Sequence, residues 1–97
     1  MLDLDPKYID FIKETILVEI PNVEIYIFGS RMQGNALEYS DVDIALKDKE
    51  KISIESILKL KVKFENSTFP YEVDIVDLNN IKESFRNLIQ DDLVLLD

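Results

Sequence analysis

The sequence predicts a small α+β domain in which a mixed sheet of three or more strands is flanked by helices. Three observations predict it. Segments with apolar residues three and four apart, the period of a helix, alternate with segments in which every second residue is apolar, the period of a strand. The 2 glycines and 3 prolines fall at the ends of these segments or between them. The length, 97 residues, suits one domain spanning 1–97, with a modest core and no second lobe.

The elements follow in order. Asp5-Pro6 reads as an N-cap with proline at the first helical position. Tyr8, Ile9, Ile12, Ile16 and Ile20 then recur at helical spacing until Pro21 stops the run. Val23, Ile25 and Ile27 alternate with Glu24, Tyr26 and Phe28, which predicts a strand ended by Gly29. Residues 30–35 are expected to form a short helical turn closed by Gly34-Asn35. A second strand is expected over 41–46, followed by a charged loop, "KDKEK", at 47–51. From Ile52 to about Glu65 the period is helical again, with Ile57, Leu60 and Phe64 on one stripe. Residues 66–70 break the pattern, and "YEVDIVDL" from Tyr71 predicts a third strand. Asn79 or Asn80 is expected to cap a last helix carrying Ile81, Phe85, Leu88 and Ile89 on one face, and an apolar run, "LVLL", closes the chain at 93–96.

Composition narrows the function. Twenty acidic against 11 basic residues give a net charge of −9, a surface that repels phosphate backbones, so direct nucleic-acid binding is not expected. No apolar run reaches membrane-spanning length, and the N-terminus has no basic segment followed by an apolar one. With no cysteine there is no disulfide framework and no thiolate metal site, and a cytoplasmic location is expected. With no histidine, acid–base chemistry near neutral pH falls to carboxylates, lysine or tyrosine.

Two features carry the chemistry. In a strand, side chains two apart share a face, with Cα atoms about 6.6 Å apart. Asp41 and Asp43 therefore point one way while Val42, Ile44 and Leu46 point the other. Such a pair reads either as the acidic side of a half-exposed strand or as a site for divalent metal, which relieves the repulsion between carboxylates. Two ions about 4 Å apart can clamp the attacking and leaving oxygens of a phosphoryl displacement, and magnesium favours carboxylate and phosphate oxygens. Asp74, mid-strand in "YEVDIVDL", adds a third carboxylate if its strand lies beside the second; Asp77 points to the opposite face and reads as a strand-end residue. Gly29-Ser30, where a strand passes into a turn, reads either as a tight turn with a capping serine or as a place where phosphate meets free N–H groups and a hydroxyl. Arg31 is either a solvated charge or a phosphate contact.

Joined by a ten-residue gap, Gly29-Ser30 and Asp41-x-Asp43 resemble the signature of the DNA polymerase β-like nucleotidyltransferases. Arg31, Gly34, Ala36 and Ser40 also match, and the small size is similar to that of the minimal nucleotidyltransferases, the MNT family. The resemblance covers essentially the whole chain and implies the polymerase β-like palm fold. It implies that Ser30 and the Gly29 backbone hold nucleotide phosphates with Arg31 beside them. It also implies that Asp41 and Asp43 bind two Mg²⁺ ions, and that Asp74 binds the nucleophile-side metal and helps deprotonate an acceptor hydroxyl. Only 20 residues follow Asp77, too few for the helical acceptor domain of longer relatives, so the acceptor site is expected on another chain. In the MNT family that chain is commonly a HEPN-domain toxin. The implied activity is AMP transfer from ATP to a toxin tyrosine hydroxyl by a protein adenylyltransferase, the antitoxin of a type VII pair. A non-catalytic antitoxin that masks its toxin, and the catalytic subunit of a two-chain small-molecule nucleotidyltransferase, are the alternatives.

Overall fold

The computed structural model describes residues 4–29 and 41–96. Helix α1, Pro6–Glu19, begins where the sequence places it: Asp5 Oδ1 accepts the Lys7 N–H at 3.0 Å, and proline occupies the first turn. It ends at Glu19, with the Ile20 N–H still donating to the Ile16 carbonyl. Pro21 cannot continue the helix, and Asn22 turns the chain through a left-handed conformation, φ 69°. Strand β1, Glu24–Phe28, follows, then β2, Val42–Lys47. The helical turn expected at 30–35 lies outside the described residues.

Helix α2 spans Ile54–Glu65, two residues shorter at its start than the hydrophobic period suggests. Ser53 caps it by accepting the Ser56 N–H at 3.1 Å, and the Ile52 N–H is drawn off to Asp77 Oδ2 at 2.7 Å. Strand β3 is Val73–Asp77, helix α3 is Glu83–Ile89, and after a 3₁₀ turn at Gln90–Asp92 the chain closes with β4, Val94–Leu96. The sheet order is β3-β2-β1-β4, with β2 and β3 parallel and the other pairs antiparallel. The apolar tail thus becomes a fourth strand paired to β1, and Leu96 enters the core. Among the described residues no helix is long and apolar enough to cross a membrane.

The last helix departs most from expectation. Neither Asn79 nor Asn80 caps it; Lys82 takes that position without a side-chain bond. The Asn79 amide donates instead to the carbonyls of Asp48, at 2.7 Å, and Glu50, at 3.2 Å. Of the expected stripe only Ile89 is buried, while Leu88 lies in solvent. The helix is seven residues long, Glu83–Ile89, so Ile81 of the expected stripe lies before it.

Strand alternation divides the apolar residues between two faces of the sheet. Ile25, Ile27, Val42, Ile44, Leu46 and Ile75 point to α1 and α2 and form the main core with Ile12, Ile16, Leu60 and Phe64. On the other face, Phe28 and Ala45 pack with Leu78 and Ile89 in a smaller cluster. Phe69, in the break before β3, contacts the rings of Tyr8, Phe11, Phe64 and Tyr71 at 5.4–5.7 Å between centroids. This aromatic knot fixes the approach to β3, and so the height at which Asp74 enters the sheet.

Asp77 is buried and points to the α2 face, as the alternation predicts. Its two oxygens accept the N–H groups of Ile52 and Asn79, clasping the β2–α2 connection to the end of β3. Asp77→Ala would leave both donors unpaired in part-buried positions. It is expected to lower stability by about 2–3 kcal/mol, read as a reduced urea midpoint with unchanged m-value.

Candidate active site

The register of the sheet assembles the site. In β1 and β2, Phe28 pairs with Asp43; in β2 and β3, Asp43 pairs with Asp74. Neighbouring strands lie about 4.8 Å apart. Asp43 and Asp74 are therefore side by side on the face away from α1 and α2, because Val42, Ile44, Val73 and Ile75 fill the other face. Asp41 immediately precedes β2, two residues from Asp43. Asp41 and Asp74 are exposed, and Asp43 is half-buried between them and the sheet.

Electrostatics report the same grouping. The Asp43 carboxyl is raised from its ordinary value, first because burial penalises its charge, then because the carboxylates of Asp74 and Asp41 repel it. A cation placed among them would reverse both effects.

Gly29 stands where β1 ends, one residue past Phe28, and has φ +81°. A Cβ built there would run into Asp43 Oδ2, so the Asp43 carboxylate lies directly over the glycine. The sequence suggested glycine for the backbone's approach to phosphate. The structure adds a second requirement, room for Asp43, which no local pattern could show because the two residues meet only across the sheet. Ser30 and Arg31 lie outside the described residues.

The donor set suits a hard divalent cation: carboxylate oxygens only, like-charged, and converging from two adjacent strands. Among the described residues no three acidic side chains gather into a ready-made cation site, so Asp43 and Asp74 form the assembled part. Sequence periodicity missed one neighbour. Phe85 of α3 is 37% exposed and meets Phe28 edge-on, with centroids 6.4 Å apart, and Phe28 is the β1 partner of Asp43.

This arrangement has counterparts in known proteins. Residues 12–97 match the family described as "Polymerase beta, Nucleotidyltransferase". A probable protein adenylyltransferase, MntA, of Haemophilus influenzae is 32% identical over 89 residues, covering 92% of this chain and 78% of its own. A toxin–antitoxin crystal structure with AMP-PNP superposes with a TM-score of 0.80 at 27% identity, over 92% of this chain and 72% of that one. The fold also recurs in a complex of a tri-AMPylated Shewanella oneidensis HEPN toxin with an MNT antitoxin. There the TM-score is 0.71 at 24% identity, over 92% of this chain and 68% of that one. With the family matched along nearly its whole length and the acidic pair set beside Gly29 in the sheet, the chain belongs to the polymerase β-like nucleotidyltransferases.

Proposed function

We propose that the chain, acting as a single domain over 1–97 in the cytoplasm, transfers AMP from ATP to a tyrosine hydroxyl of a partner HEPN toxin and thereby serves as its antitoxin. The observation that carries this reading is the in-register pairing of Asp43 with Asp74 beside Gly29. The similarity to a probable adenylyltransferase and to a toxin–antitoxin complex solved with AMP-PNP supports the donor and the kind of partner.

The residues divide the work. Asp41, Asp43 and Asp74 would hold Mg²⁺, which when bound supplies positive charge against both the carboxylates and the triphosphate. The Gly29 backbone and Ser30 hold phosphate oxygens, with Arg31 beside them. Asp74, the exposed member of the pair, takes the proton of the acceptor hydroxyl. The acceptor oxygen then bonds the α-phosphorus, the bond to the β-phosphate oxygen breaks, and pyrophosphate leaves. The acceptor itself comes from the second chain.

The test is to incubate the chain and its toxin with Mg²⁺ and ATP labelled at the α- or the γ-phosphate. Label is expected on the toxin from the α-position only, and a toxin Tyr→Phe change is expected to remove it. A complex that binds ATP yet leaves the toxin unlabelled would overturn the reading.

A further inference from the structure

We propose that α2 is a self-recognition surface that pairs two copies of this chain about a twofold axis at Leu58. Ile54, Leu58 and Val62 are 74%, 55% and 52% exposed. Spaced by four residues, they form a continuous apolar stripe on the side of α2 opposite Leu60 and Phe64, which fill the core. The stripe borders a groove of about 400 Å³ lined by Glu19, Glu55, Leu58, Lys59, Val62 and Lys63. Main-core packing already accounts for the inner face, so the outer stripe is surplus to the fold of one copy.

The occupant follows from charge and symmetry. The chain carries −9 overall, so most of its surface repels a second copy. The outer side of α2 is different: Lys59 and Lys61 offset Glu55 and Glu65, while Lys63 pairs with Glu19 of α1 at 3.4 Å. At 100° per residue, Glu55 and Lys59 flank the stripe on one side, while Lys61 and Glu65 flank it on the other. An antiparallel twofold pairing centred on Leu58 sets Ile54 against Val62 of the second copy and Leu58 against its own counterpart. On the first flank, Glu55 lies three residues before the axis and Lys59 one residue after it. Reversing the second helix therefore brings Glu55 of each copy within about 3 Å, along the axis, of Lys59 of the other. One rotation thus satisfies the stripe and the Glu55–Lys59 flank, the self-complementarity that a twofold interface requires. The inference is independent of the transfer reaction.

Sedimentation velocity on the full chain, from about 1 to 100 µM, tests it. A concentration-dependent dimer is expected. Leu58→Asp, which places two facing carboxylates at the axis, is expected to raise the dimer Kd more than about 100-fold. Because a surface change could still disturb folding, the exposed pair gives a second reading. Glu55→Lys or Lys59→Glu alone is expected to weaken the dimer roughly tenfold, since each contact occurs twice, and the two together to restore it to within about threefold. A chain that stays monomeric throughout, a dimer that Leu58→Asp leaves intact, or a double swap no better than the single ones would each overturn the proposal. So would a monomeric chain whose Leu58→Asp form loses only its binding to a different protein.

Discussion

Asp43→Asn is expected to reduce AMP transfer by about 10³-fold or more, corresponding to about 4 kcal/mol of transition-state stabilisation. Asp43 is the central carboxylate of the three. It pairs with Asp74 across the sheet, lies two residues from Asp41, and covers Gly29. Asparagine keeps its size but removes the charge that balances a cation. The same change has an opposite effect on folding. The Asp43 carboxyl is raised by burial and by its two acidic neighbours, so the folded state holds its proton more tightly than the unfolded chain does. Its contribution to stability is therefore present in acid and is lost as pH rises from the unfolded carboxylate range through the raised folded value. At neutral pH, without divalent cations, Asp43→Asn is expected to be the more stable protein. The margin is at most about 1 kcal/mol, because Asp43 is only half-buried and water screens its repulsion. The gain is expected to fade below about pH 4, where both states of the wild type bind the proton. Magnesium is expected to raise the urea midpoint of the wild type and to leave that of Asp43→Asn nearly unmoved. Transfer assays and urea titrations with and without EDTA read both halves. A variant that loses activity but gains no metal-free stability would mean that the carboxylates do not burden the fold as the geometry implies.

How far the sequence could reach follows from the range of each interaction. Local devices were legible: the Asp5-Pro6 start of α1, the stop at Pro21 and the alternation of β1 to β3 all act within a few residues. Asp43 and Asp74 could be placed on equivalent faces of two strands, but their pairing depended on β2 and β3 being neighbours, which is a property of the whole sheet. The failures have the same origin. Asn79 has the chemistry of a helix cap, yet the carbonyls of Asp48 and Glu50, some thirty residues away in sequence, claim its amide. The tail at 93–96 is too short for its pattern to tell a final strand from a packed helix end, and the free edge of β1 decides for the strand. Leu58 and its neighbours on α2 lie off the stripe that the helical period picks out, so sequence alone gave no reason to notice them.

Gly29→Ala is expected to damage the site from the other side. Two costs combine. At φ +81° an alanine pays about 1 kcal/mol for a backbone conformation that glycine adopts freely. Its Cβ would also meet Asp43 Oδ2, so the carboxylate has to shift away from the glycine. A total loss of about 2–3 kcal/mol in stability is expected, with transfer reduced about 100-fold because the displaced carboxylate no longer lies beside Asp74. A double-mutant cycle separates the two costs. In an Asp43→Ala background the collision is gone while the backbone strain remains. Gly29→Ala is therefore expected to cost about 1 kcal/mol there, against 2–3 in the wild type. Equal costs in both backgrounds would assign the glycine to backbone conformation alone. Unequal costs would tie the turn that ends β1 to the carboxylate on β2.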